Sequence, residues 1–74
     1  MSCNVECAKE LVKAGINLEI TAESTFSKTD IKNIVAAASE YVDAGHITVE
    51  ASKFTRDDLI GFANSITRRL TVRF

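Results

Sequence analysis

Two cysteines near the start of the chain carry its most reactive side chains. Cys3 and Cys7 are four positions apart, a spacing that puts both thiols on one helix face, where they could share a metal ion. No second cysteine pair or histidine pair completes a zinc site. A disulfide within one helical turn would be strained. We interpret Cys3 and Cys7 as ordinary thiols, at most sensitive to oxidation near a helix N-terminus.

The other candidates for chemistry are one histidine and a pair of acids. His46 is the only histidine, and general acid–base catalysis would need Glu19 or Glu50 held beside it. A solvated histidine at the start of a strand is the simpler interpretation. Asp57 and Asp58 are explained by helix capping and by solvent. The glycines are isolated and none begins a helix, so no phosphate-binding loop is present. The sequence therefore predicts no catalytic residue, metal site or cofactor, and no enzyme.

The elements that position these residues begin with two matching helix starts. Phe26–Asp30 and Phe54–Asp58 each place a hydroxyl residue before an aspartate three positions later, which is a shortened capping box. The phenylalanine before each hydroxyl and Ile31 or Leu59 after it form a hydrophobic staple. Three apolar stripes keep helical spacing: Val5, Ala8, Leu11 and Val12; Ile31, Ile34, Val35, Ala38, Tyr41 and Val42; Leu59, Phe62, Ala63 and Ile66. The pattern predicts three helices.

Glycines mark predicted helix ends and one close contact. Ala14-Gly15 and Ala44-Gly45 end the first two helices, with each glycine in the left-handed cap conformation. Gly61 lies inside the third helix, where it costs about 1 kcal/mol relative to alanine. We expect Gly61 to let that helix approach its neighbour, or another chain, closely.

An alternating segment follows each helix and predicts a strand with one buried face. The segments are 18–22, 47–51 and 70–74. Strands joined through helices are parallel, with right-handed crossovers. Because every second strand residue is polar, the sequence predicts an α/β fold of three helix–strand repeats, with a three-stranded parallel sheet in the order 1-2-3 and all helices on one face. This is a half-solenoid.

One alternative remains open at this stage. A sheet in the order 2-1-3 with helices on both faces is also compatible with three crossovers, but it would bury Glu19 and Thr21. Seventy-four residues make one domain, and we assign 1–74 to it, with repeat units at about 3–22, 26–51 and 54–74.

The uncovered sheet face is the predicted interaction surface. Aligning the repeats gives three rows across the strands: Asn17, His46 and Arg69; Glu19, Thr48 and Thr71; Thr21, Glu50 and Arg73. Glu50 and Arg73 would form an ion pair worth less than about 1 kcal/mol if exposed. The candidate residues for binding are Glu19, Thr21, His46, Thr48, Glu50, Arg69, Thr71 and Arg73.

Charge is distributed unevenly along the chain. Residues 1–50 hold eight acids and four bases, whereas residues 51–74 hold five bases and two acids. The bases are Lys53, Arg56, Arg68, Arg69 and Arg73. This basic cluster could contact nucleic-acid phosphates, but no exposed aromatic residue is interleaved for stacking, and the net charge is −1. Nucleic-acid binding is therefore the second hypothesis.

The first hypothesis is a non-enzymatic protein–protein interaction module of the inhibitor, immunity or adaptor type, encoded by a phage or another mobile element. Exposed sheet edges invite pairing with another chain, and Glu19 and Glu23 at one edge are opposite in charge to Arg69 and Arg73 at the other. We expect self-association, favouring a closed homodimer. The chain has neither a predicted membrane span nor a recognisable signal peptide, so we expect a cytoplasmic protein.

Overall fold

The computed structural model describes residues 4–74, in which helices and strands alternate along the chain. The elements are α1 (Val5–Lys13), β1 (Leu18–Ile20), α2 (Lys28–Ser39), β2 (Ile47–Glu50), α3 (Arg56–Ser65) and β3 (Leu70–Arg73), with a short 3-10 turn at Ala51–Lys53. The predicted order of three helices and three strands is confirmed. The predicted first unit starts at residue 3, which lies outside the described residues.

The three strands form one parallel sheet in the order β1-β2-β3. Leu18 lies opposite Ile47, and Ile47 opposite Leu70. The predicted order is confirmed, and the alternative order 2-1-3 is wrong. Ile47 and Val49 of the central strand have no exposed surface, whereas Leu18 and Leu70 of the outer strands are only partly buried. The order 2-1-3 with helices on both faces would have buried Glu19, which is exposed here.

The core is one cluster of buried residues to which the strands and the helices both contribute. Every second strand residue joins a single buried cluster, and the intervening residues are polar and more exposed. The helices contribute Ala8, Val12, Ile31, Ile34, Val35, Ala38 and Phe62 to this cluster, and Ile66 joins them just after α3. The predicted helical stripes supply most of these residues, so periodicity identified the core correctly over most of the chain.

Capping boxes start α2 and α3, as predicted. The Ser27 hydroxyl accepts from the Asp30 amide (3.1 Å), and the Asp30 carboxylate accepts from the Ser27 amide (3.1 Å). Thr55 and Asp58 repeat both bonds at 3.2 and 3.1 Å. Such a cap is worth about 1 kcal/mol. At the start of α1, the Asn4 side chain accepts a hydrogen bond from the Cys7 amide (2.8 Å). This cap was not predicted, although the sequence signals it by an asparagine directly before an apolar stripe.

The end of α2 differs from the prediction. The apolar stripe extended to Tyr41 and Val42, but the helix ends at Ser39, Tyr41 is about half exposed and Val42 is 92% exposed. The chain turns here because the Gly45 amide donates to the Val12 carbonyl at the end of α1 (2.8 Å). The strand that follows must return beside β1, so the last two apolar residues of the stripe stay in solvent.

The two glycines at predicted helix ends have different roles. Gly15 has φ +94° and follows the last turn of α1, as predicted. Gly45 does not have a positive φ, and the prediction of a left-handed cap there is wrong. A Cβ at Gly45 would instead overlap the carbonyl group of Ile16. Glycine is therefore required at this position because two backbone segments cross in contact.

Gly61 has no neighbour that requires a glycine. A Cβ at this position would meet no atom within 4 Å, so the expectation of close packing against a neighbouring helix of the chain is wrong. We expect Gly61→Ala to raise the free energy of unfolding by about 0.5–1 kcal/mol, because alanine restricts the unfolded backbone and favours the helix. The urea denaturation midpoint measures this change, and a lower midpoint would contradict the open space seen beside Gly61.

Cys7 is not a free thiol, contrary to the sequence-based interpretation. It lies in the first turn of α1 and takes part in a disulfide bond. The helix begins at Val5, after the extended N-cap residue Asn4 (φ −85°, ψ −177°). Cys3 lies outside the described residues.

Candidate protein interface

The polar side chains of the strands lie together on the sheet, and we call them the polar face. They are Glu19, Thr48, Glu50, Thr71 and Arg73. The register pairs Glu19 with Thr48 and Thr48 with Thr71 across the three strands, and it pairs Glu50 with Arg73. These rows agree with the alignment made from the sequence.

Arg73 holds the polar face together by reaching two carboxylates. Its Nη1 lies 3.5 Å from Glu50 Oε1, the predicted neighbour, and its Nη2 lies 2.8 Å from Glu19 Oε1 on the far strand. The hydrogen bond that Arg73 donates to Glu19, together with the negative charge of that carboxylate, raises the pKa of Arg73 above its ordinary value. Aligning the three repeat units of the chain did not predict the contact with Glu19, because that alignment pairs neighbouring strands and the long arginine side chain extends across β2. Exposed pairs of this kind contribute about 0–1 kcal/mol.

The remaining candidates of the predicted surface lie just outside the strands. Thr21 follows the end of β1, and its carbonyl accepts from the Ser24 amide (3.1 Å) in a turn. His46 is exposed before β2, and its amide donates to Asn17 Oδ1 (2.8 Å). The Arg69 guanidinium donates to the carbonyl of Ala38 near the C-terminal end of α2 (3.1 Å), which suits a cation at a helix C-terminus. Arg69 is thus engaged with a helix rather than with the polar face.

The basic residues do not present one uniform patch. Arg69 and Arg73 are engaged as described above, and Lys53 Nζ donates to the Ser24 carbonyl (3.2 Å). Arg56 and Arg68 are exposed and form no ion pair or side-chain hydrogen bond within residues 4–74. Three of the five cationic groups are therefore bound to acceptors of the chain, which reduces the charge available to a phosphate backbone.

Asp58 joins α3 to α2 as well as capping α3. Its carboxylate lies 3.0 Å from Lys28 Nζ and 3.4 Å from Lys32 Nζ, and its side chain is only 14% exposed. The interaction with Lys28, followed by the hydrogen bond from the Thr55 amide, holds the pKa of Asp58 well below its ordinary value. The cap was predicted from the sequence, but the two lysine contacts were not. Asp58 therefore has a structural role, since it links the start of α3 to α2.

Both outer edges of the sheet carry unpaired backbone groups. In a parallel ladder, alternate residues bond to opposite sides. Because the Leu18 amide donates to His46, the backbone of Leu18 is directed at β2 and that of Glu19 outward. Because the Ile47 amide donates to Arg69, the backbone of Leu70 and Val72 is directed away from β2. No described residue bonds to these outward groups.

A groove of about 350 Å³ runs beside the free edge of β1, and we call it the β1 groove. It is lined by Ala8, Leu11, Leu18, Glu19, Ile20, Ser24, Thr25 and Phe26. The Ser24 hydroxyl oxygen is buried and has no hydrogen-bond partner among the described residues. Sequence reasoning did not find the groove, since its walls come from three separate segments of the chain.

Within residues 4–74, no three or more histidine, cysteine and acidic residues are grouped so that they could hold a metal ion. None of the described helices is long and apolar enough to cross a bilayer.

Comparison of the chain with protein-family models, with curated proteins and with solved structures finds no match. Its function is therefore inferred from its own geometry.

Proposed function

We propose that this chain is a non-enzymatic protein–protein interaction module that acts in the cytoplasm and associates with copies of itself through the edges of its sheet. The observation that carries the proposal is the pair of free edges, each with outward backbone groups and with apolar side chains that the chain leaves incompletely covered. Unpaired strand edges are ready templates for pairing with another strand.

The side chains beside these edges support an interface. Leu18 on β1 and Leu70 and Val72 on β3 are only partly buried, although they pack against the core. Leu11 beside β1 is 38% exposed, and Phe74, directly after β3, is fully exposed. Burying apolar surface contributes about 25 cal/mol per Å². A strand added at either edge would cover such surface as well as pair the backbone.

Charged residues do not block the edges. Charges on edge strands normally discourage pairing, but Glu19 and Arg73 bond to each other over the polar face. This internal pairing also weakens the simple expectation of two edges with opposite charge, because the charge of Arg73 is already balanced within the chain. Backbone pairing and apolar contact are therefore the main attractions in the proposal.

We also propose that the alternating elements are three repeats of one helix–strand unit. In this arrangement all helices lie on one face of the sheet, and the polar face is open. The equal register of successive strands supports this description. Terminal units of such arrays need polar caps to stay monomeric, and the apolar residues beside both edges do not provide them. The two-fold dimer that the sequence analysis favoured stays a prediction, as does nucleic-acid binding.

Sedimentation equilibrium tests the proposed self-association. The apparent mass should rise with protein concentration to well above the chain mass of 8.1 kDa, because mass action increases the fraction of chains that are paired through their edges. Thr48→Lys is the control, because it alters the polar face on the central strand. Its apparent mass should rise with concentration as that of the wild type does. An apparent mass that stays at 8.1 kDa up to high micromolar concentration would refute the proposed self-association. Dissociation by Thr48→Lys would move the interface from the edges to the polar face.

A further inference from the structure

The β1 groove has the features of a site for one apolar side chain next to a strand. Leu11 from α1, Leu18 and Ile20 from β1, and Phe26 supply its apolar walls. Only Ile20 of these four is fully buried, and Leu11 is 38% exposed. The outward backbone groups of Glu19 lie along the same edge. An extended segment could therefore pair with β1 and insert a side chain into the groove.

The opposite edge of the same chain offers a segment of this kind. The outward backbone groups of β3 belong to Leu70 and Val72, whose side chains lie on the apolar side of the sheet. Phe74 is two residues beyond Val72, so strand alternation places its side chain on that same side. Phe74 is fully exposed, although phenylalanine has one of the largest apolar surfaces of any side chain.

We propose that β3 of a second copy adds in parallel to β1, with Phe74 of the second copy seated in the β1 groove. This inference rests on the proposed self-association and specifies its two surfaces. The existing register, Leu18 opposite Ile47 opposite Leu70, continues into the added strand and puts Leu70 of the second copy opposite Leu18. Val72 then lies opposite Ile20, and Phe74 lies opposite Ala22, next to the wall formed by residues 24–26.

The hydrogen-bonding pattern fits this register. The bonding groups of Leu70 and Val72 in the incoming strand would meet the amide and carbonyl of Glu19, the carbonyl of Asn17 and the amide of Thr21, as a parallel ladder requires. The Thr21 carbonyl, which accepts from the Ser24 amide, is not needed for this ladder. The incoming backbone also brings polar groups to the side of the groove where the Ser24 hydroxyl has no hydrogen-bond partner among residues 4–74. The groove thus gains hydrogen bonds together with apolar contact.

Charge favours the same arrangement. Arg73 of the second copy would lie opposite Thr21 and diagonal to Glu19, one strand away. Within its own chain, Arg73 already reaches Glu19 across two strands. In the assembly, Arg73 would therefore have a Glu19 carboxylate on each side. A two-fold pairing of β3 with β3 would instead bring no Glu19 of the second copy beside Arg73, and it would leave the β1 groove empty.

The proposed contact joins two different surfaces, so its two halves can be disabled separately. Phe74→Ala removes the inserted side chain, and Thr25→Trp fills the groove from a position that is exposed in the chain. Each variant alone should weaken self-association at least about tenfold, as expected at the centre of an interface. Val42→Ala is the matched control, because it trims a 92% exposed apolar residue outside both surfaces, and it should leave association unchanged. Circular dichroism checks that each variant is folded.

Mixing the two variants provides the decisive measurement. The Phe74→Ala copy keeps an open groove, and the Thr25→Trp copy keeps its phenylalanine. An equimolar mixture should therefore form a 1:1 pair of twice the chain mass of 8.1 kDa and no larger species, since the remaining surfaces are disabled. Recovery of this pair supports the proposal.

Three results would overturn it, and they can be told apart. If wild type associates and Thr25→Trp associates equally well, the β1 groove is not the site, whereas self-association through another edge, including the two-fold β3 dimer, survives. If wild type remains at 8.1 kDa, self-association itself is refuted. A mixture that stays monomeric while wild type associates also rejects the head-to-tail contact.

Discussion

Replacement of Gly45 by alanine is expected to remove a large part of the stability of this domain. The new Cβ would overlap the Ile16 carbonyl group, which is backbone and cannot rotate away. Relief would require the segment before β2 to move from the end of α1, and the hydrogen bond between Gly45 and Val12 lies in that segment. Overpacking of this kind costs about 3 kcal/mol, whereas a domain of this size has about 4–11 kcal/mol in total.

The urea denaturation midpoint of Gly45→Ala measures this loss, and Gly61→Ala is its matched control. Both variants add one methyl group to a glycine, but Gly61 has open space around it. The two midpoints should therefore move in opposite directions from wild type. A Gly45→Ala protein as stable as wild type would show that the two backbone segments do not cross in contact.

Removal of the Asp58 carboxylate is the second large effect that we expect. Asp58→Ala loses both the capping box of α3 and the contacts with Lys28 and Lys32 of α2. Asp30→Ala is the matched control, because Asp30 has the same position in the capping box of α2 and forms no ion pair among the described residues. Thermal unfolding should show a fall of several degrees for Asp58→Ala, and a smaller one for Asp30→Ala. Equal shifts would mean that the lysine contacts contribute nothing.

The same carboxylate predicts the response to acid. The folded-state pKa of Asp58 is lowered from its ordinary value of 3.8, so its stabilisation is fully present above pH 3.8. The stabilisation is lost as pH falls from there toward the folded-state pKa, because the unfolded chain takes up the proton first. Asp58→Asn keeps an oxygen for the cap but has no charge. Its stability should therefore decline less steeply below pH 3.8, and parallel pH profiles would contradict this assignment.

The fold was largely predictable because its signals are local. The capping boxes at Ser27 and Thr55 and the alternation in each strand act between residues close in sequence. Strand order followed from one added argument, that polar alternate residues such as Glu19 need a solvated face. The same reasoning failed at Val42, because an apolar residue in helical register says nothing about where the helix must end.

The candidate interface was predicted only in part. Strand alignment correctly paired Glu50 with Arg73, since neighbouring strands share one register. It did not predict that Arg73 contacts Glu19, or that Arg69 donates to a carbonyl at the end of α2. A long arginine side chain can reach several acceptors, and which one it contacts depends on segments that are distant in sequence. The β1 groove was not predicted, since its volume is set by the distance between α1, β1 and the segment after Thr21.

The elements of this protein, their order and their buried faces follow from residue patterns a few positions long. Helix caps, apolar periodicity and strand alternation depend on backbone geometry that neighbouring residues share, and so they are readable in the chain. The requirement for glycine at position 45, the ion pairs of Asp58 and the groove beside β1 arise where segments far apart in sequence meet. The distances between these segments depend on how the helices pack against the sheet, and a pattern of neighbouring residues does not determine them.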